Sequence, residues 1–91
     1  MDVDQELTKK TLQEIDSLLK QGVMPVNNSH LKHLGSEGTM LSYLIWLKAE
    51  GLISGDLITI GADRIKPHRM TNIRLTYIGI KKLRSMIEKS S

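Results

Sequence analysis

Histidine is the side chain most often used to hold a metal or move a proton near neutral pH, and this sequence has three: His30, His33 and His68. His30 and His33 stand three apart in "NSHLKHL", a spacing that lets both face one ion from a short helix. The set stops there. There is no cysteine, no acid completes the pair within that helix, and His68 is distant along the chain. A structural zinc takes four ligands, so no metal is expected. Serine, histidine and aspartate are all present, yet no glycine elbow, phosphate-cradling loop or acid pair organises them. The sequence therefore predicts no catalytic residue, no cofactor, no small-molecule substrate and no enzyme.

What chemistry remains is charge. Arg64, Lys66, His68, Arg69 and Asn72 fall within nine residues of one polar stretch, "GADRIKPHRMTN". Arg and Lys in such a loop bind phosphates and gain affinity by releasing counterions, without reading sequence. A solvated loop of no further function has the same composition. The distribution of charge bears on the choice. The chain carries a net charge of +3. Residues 1–51 hold five Lys/Arg against seven Asp/Glu, and residues 52–91 hold eight against three. The halves are thus −2 and +5, so attraction to a polyanion is expected from the second half.

The stretch "TMLSYLIWLKAEGLISG" carries the single tryptophan. At about 100° per residue, Met40, Leu44 and Leu47 form one inward stripe with Leu41 beside it. Ser42 and Trp46 then point away, flanked by Thr39, Ala49 and Glu50, with Tyr43 and Ile45 on the shoulders. A base-reading face needs Arg, Lys, Asn or Gln, and this one has none. Thr39, Ser42 and Tyr43 are its candidate polar contacts to DNA, with Lys32 and Lys48 at the edges. Its apolar part suits a protein interface, for which Tyr43, Ile45 and Trp46 are the candidates. Trp46 folded under the hairpin or the first helix, as plain core, is the competing expectation.

These residues need positioning elements. Helical spacing of Leu7, Thr11, Leu12, Ile15, Leu18 and Leu19 predicts a first helix over 4–21, ended by Gly22. Pro25 blocks its continuation. "NSHLKHL", 28–34, is a short second helix closed by Gly35. Ser36 caps a third that runs to Gly51. "LISGDLITI" reads as strand with a Ser-Gly-Asp interruption, then the basic loop, then "IRLT" as a short strand. Residues 77–89 resume helical spacing through Ile80, Leu83 and Ile87, with Gly79 a local weakness. The order predicts a single α+β domain over 1–91, mostly α, core 5–89. It is a winged helix-turn-helix: three helices, a two-stranded β wing and a C-terminal helix. One domain with one modest core also suits 91 residues at 40% hydrophobic.

The run "LSYLIWLKAEGLISG", followed at a distance by "NIRLTYIGIKKL", resembles bacterial winged-helix proteins. In these a Leu-rich third helix ends in "EGLI" and the second wing strand exits through "LT..G...L". More narrowly it is similar to the YjcQ-like family, small winged-helix proteins of bacteria and their phages. There an "EGYI.G" helix end and an "IRIT..GI..L" wing exit occur at similar spacing. The resemblance covers roughly residues 5–89. It implies the winged-helix fold and, less directly, transcription regulation by DNA binding, because such folds also serve dimerisation and docking.

Two functions are therefore expected. In one, a small bacterial or phage regulator binds double-stranded DNA, with Arg64, Lys66 and Arg69 on phosphates. In the other, the fold meets a protein through Tyr43, Ile45 and Trp46. A homodimer through the terminal helices, using Ile78, Met86 and Ile87, is compatible with either. No apolar run approaches the roughly 20 residues of a membrane span, and "MDVDQELTKK" has no signal-peptide pattern. A cytoplasmic location is expected.

Overall fold

The structure is a computed structural model that describes residues 5–59 and 69–90. It is α+β and mostly α. The order is α1 (Gln5–Lys20), a 3-10 helix (Asn28–Leu34), α2 (Glu37–Ala49), β1 (Ile53–Ile58), β2 (Arg69–Leu75) and α3 (Tyr77–Ser90).

The stripe that α1 buries is Thr8, Thr11, Leu12 and Ile15, which is the i, i+3, i+4, i+7 spacing of a helix with one inward face. Leu18 and Leu19 pack partly against the core at its end. Gly22 takes φ +87, and the N–H groups of Gly22 and Val23 bond the Leu19 and Leu18 carbonyls. That pattern stops a helix by satisfying its last carbonyls, and it favours glycine at the left-handed position.

The second helix of the sequence reading is a 3-10 segment broken at Leu31. His30 explains its start. The Asn27 N–H donates to His30 Nδ1 at 2.9 Å, and the His30 N–H donates to the Asn27 carbonyl at 3.0 Å. Side chain and backbone thus close one turn on themselves, as a cap does. Just before it, Val26–Asn28 runs along the free edge of β2. The Ile73 N–H donates to the Val26 carbonyl at 3.0 Å and the Met70 N–H to Asn28 Oδ1 at 3.1 Å. Thr71 Oγ1 donates to Asn27 Oδ1. An edge that would otherwise be open to pairing is covered.

β1 and β2 form an antiparallel hairpin with Ile53 opposite Leu75, Ser54 opposite Arg74, Asp56 opposite Thr71 and Ile58 opposite Arg69. Between those pairs Gly55 alone faces Asn72 and Ile73, a β-bulge. Asn72 has φ +55, a left-handed position asparagine tolerates better than most residues. The expected Ser54–Asp56 interruption is this bulge in the pairing, within a strand that continues through it. One expectation changes: "RMTN" belongs to the second strand and not to the loop. The cause is one-sided burial: Met70 and Ile73 are fully buried while Arg69, Asn72 and Arg74 are exposed. With a bulge inserted, the inward residues lose strict alternation, so the stretch reads as loop.

The core gathers Leu12, Ile15, Val26, Leu31, Met40, Leu44, Leu47, Leu52, Ile53, Met70, Ile73 and Leu83. Every element contributes to it. The two motifs behind the family resemblance meet at one joint. Gly51 ends α2 at φ +79, with the Leu52 N–H on the Leu47 carbonyl. Thr76 then binds that turn. Its hydroxyl donates to the Gly51 carbonyl, its N–H donates to the Leu52 carbonyl at 3.1 Å, and its Oγ1 accepts from the Gly79 N–H at 3.0 Å. Gly79 packs against the Leu52 carbonyl so closely that an added Cβ would overlap its oxygen. What read as a weak point in the last helix is the position that lets it dock.

Candidate nucleic-acid interface

The polar candidates on α2 divide in two. Ser36 caps the helix, accepting from the Thr39 N–H and donating to Thr39 Oγ1 at 2.7 Å. Thr39, one turn in, is exposed, and Ser42 follows it on the solvent side. Tyr43 is different. Its ring is partly buried against the core, and its hydroxyl shares a hydrogen bond with Thr8 Oγ1 of α1.

Trp46 also differs from the helical-wheel expectation. It is partly buried, packs against the core, and stacks on Tyr43 with ring centroids 5.8 Å apart and planes at 21°. The wheel places it opposite the core stripe. The core, however, reaches further round this helix, because Tyr43 reaches Thr8 of α1 and Trp46 stacks on that ring. Ile45 and Leu41 are likewise partly buried against the core. The solvent-facing strip of α2 is left to Thr39, Ser42, Lys48 and Ala49, with Glu50 at its end. Trp46 also lines a shallow groove of about 200 Å³ with Gln5, Thr8, Glu50, Leu52 and Lys82.

Of the cationic candidates, Lys32 is exposed on the 3-10 helix, Lys48 on the last turn of α2, and Arg69 at the start of β2. Arg64 and Lys66 lie outside the described residues. Arg69, Thr71 and Arg74 share the hairpin's outer face with Ser54, Asp56 and Ile58, as the register requires. Among the described residues neither arginine makes an ion pair. Arg74 was not singled out in the sequence. Its signal was there in "IRLT", where inward Ile73 puts the next residue on the opposite face.

The histidine pair separates. His30 Nδ1 is committed to the Asn27 N–H, whereas His33 Nε2 lies 3.6 Å from Glu14 Oε1 on α1. Among the described residues no group of three or more His, Cys, Asp or Glu could hold an ion, and no helix is long and apolar enough to cross a membrane. Comparison with protein-family models, with curated proteins and with solved structures gives no match.

Proposed function

We propose that this chain is a winged-helix DNA-binding protein, a small regulator of bacterial or phage type, whose hairpin supplies the main grip. The carrying observation is Arg69, exposed at the start of β2 and close in sequence to Arg64 and Lys66. Three further features support the reading. The edge of β2 is covered by the segment before the 3-10 helix, the arrangement a winged helix has around its wing. The 3-10 helix and α2 are joined by the tight Gly35–Ser36 turn of a helix-turn-helix. The exposed strip of α2 offers Thr39 and Ser42 for weak polar contacts and Lys32 and Lys48 as flanking cations. With no bidentate base reader there, binding is expected to be phosphate-led and only mildly sequence-selective.

The alternative, a protein interface built from Tyr43, Ile45 and Trp46, has less support. All three side chains already pack against the chain's own core.

Duplex affinity measured by fluorescence anisotropy across a salt series tests the proposal. Log K should fall with log salt with a slope of about −0.9 per phosphate neutralised. Changing Arg64, Lys66 and Arg69 together to alanine should lower affinity at least tenfold near 50 mM salt and flatten the slope by about three. Absence of binding near 50 mM salt, or an unchanged slope in the triple variant, would overturn it.

A further inference from the structure

Large apolar side chains left in water are concentrated on one element. Met24, Leu57, Tyr77, Ile78, Ile80 and Ile87 are the exposed large hydrophobics, and four of these six are on α3. This helix meets the core through Gly79 and Leu83, with Met86 partly buried beside them. Tyr77, Ile80, Arg84 and Ile87 follow one another at intervals of three, four and three, the spacing of the seam in paired helices. Their apolar members are 74%, 37% and 43% exposed. Isolated exposed apolar residues need no explanation, but a contiguous stripe along a helix marks a contact.

We propose that this stripe joins two copies of the chain, α3 packing antiparallel on α3. The charges select both the occupant and the direction. Lys81 and Glu88 follow Ile80 and Ile87 by one residue each and share the flank of the stripe. In an antiparallel pair with Tyr77 opposite Ile87 of the second copy, Ile80 lies opposite Arg84. The arginine's aliphatic stem covers the isoleucine while its guanidinium reaches water. In that same register the flanking positions that meet are Lys81 and Glu88 of the second copy, twice by symmetry. A parallel pair would bring them to Thr76 and Leu83 instead, with no opposite charge. The Lys81 ammonium already lies along this flank, 5.5 Å from the centroid of the Tyr77 ring. An α3 of 14 residues is about 21 Å long. The pair is therefore at the small end of specific interfaces, and a weak, concentration-dependent dimer is expected. None of these residues belongs to the surface assigned to DNA, so the two proposals stand or fall separately.

Sedimentation equilibrium of the full chain from about 10 to about 500 μM is the test. The weight-average mass should climb from 10.3 kDa toward twice that value. Lys81→Glu and Glu88→Lys should each weaken association about tenfold, and the two together should restore it to within about threefold of the parent. Ile80→Ser should leave only monomer. Circular dichroism melts of each variant check that the fold is kept. A monomer at every concentration would overturn the proposal. So would a dimer indifferent to the single charge reversals, or one that the double reversal fails to rescue. Capture of an acidic amphipathic peptide or of anionic-lipid vesicles by the stripe of a monomeric chain would also overturn it, and would give the face to that partner.

Discussion

α2 and α3 invert what their sequences suggest. "MLSYLIWL" in α2 is the most apolar stretch of the chain, yet none of its large apolar side chains is among the exposed ones. α3 reads as helical through Ile80, Leu83 and Ile87, yet of these only Leu83 is buried, and Tyr77, Ile78, Ile80 and Ile87 are left in water. The difference is in the neighbours. α2 packs on the 3-10 helix and on both strands of the hairpin, and its aromatic rings Tyr43 and Trp46 lie beside Thr8 of α1. α3 comes last and packs on α1 and β2 along a line that includes the close approach of Gly79 to the Leu52 carbonyl. Apolar content predicts burial only where the fold supplies enough surface to cover it.

The largest effect that bears on this contrast is at the joint itself. Gly79→Ala places a methyl group against a backbone carbonyl, which cannot swing aside as a side chain can. It should cost about 3 kcal/mol in urea denaturation; a loss under about 1 kcal/mol would mean that the line of contact is loose. Next comes Trp46→Ala. With the indole partly buried and stacked on Tyr43, it should cost about 2 kcal/mol. Its fluorescence in the parent should be blue-shifted and only partly quenched by acrylamide. Full quenching and an unaltered unfolding midpoint would return Trp46 to the surface and dissolve the contrast. Tyr43→Phe removes the hydroxyl shared with Thr8 and should cost about 1 kcal/mol. Smallest is Ile87→Ser. On an exposed flank it should change stability by less than about 0.5 kcal/mol while weakening self-association.

Much of the fold was legible in the sequence because it rests on local signals. Gly22 and Gly51 mark two helix ends, Ser36 marks a helix start, and Met40, Leu44 and Leu47 mark the inward side of α2. The second strand was only half legible, since a bulge at Asn72 and an exposed outer face hide its period. The role of Gly79 was not legible at all. Helix propensity scores a glycine as a weakness, and only the folded chain shows what approaches it. The same holds for the candidate site. Lys32, Thr39, Ser42, Lys48 and Arg69 lie on the surface, as expected of residues with polar ends. Trp46 and Tyr43 could not be placed by a wheel, because a wheel describes one helix and not the helix beside it.

An amide-resolved NMR titration with a short DNA duplex at low salt tests the division of labour most directly. The amides of Lys32, Thr39, Ser42 and Arg69 should shift with added DNA. Those of Tyr77, Ile80 and Ile87 should stay in place and shift only with protein concentration. No shifts with DNA, or DNA shifts centred on α3, would contradict it.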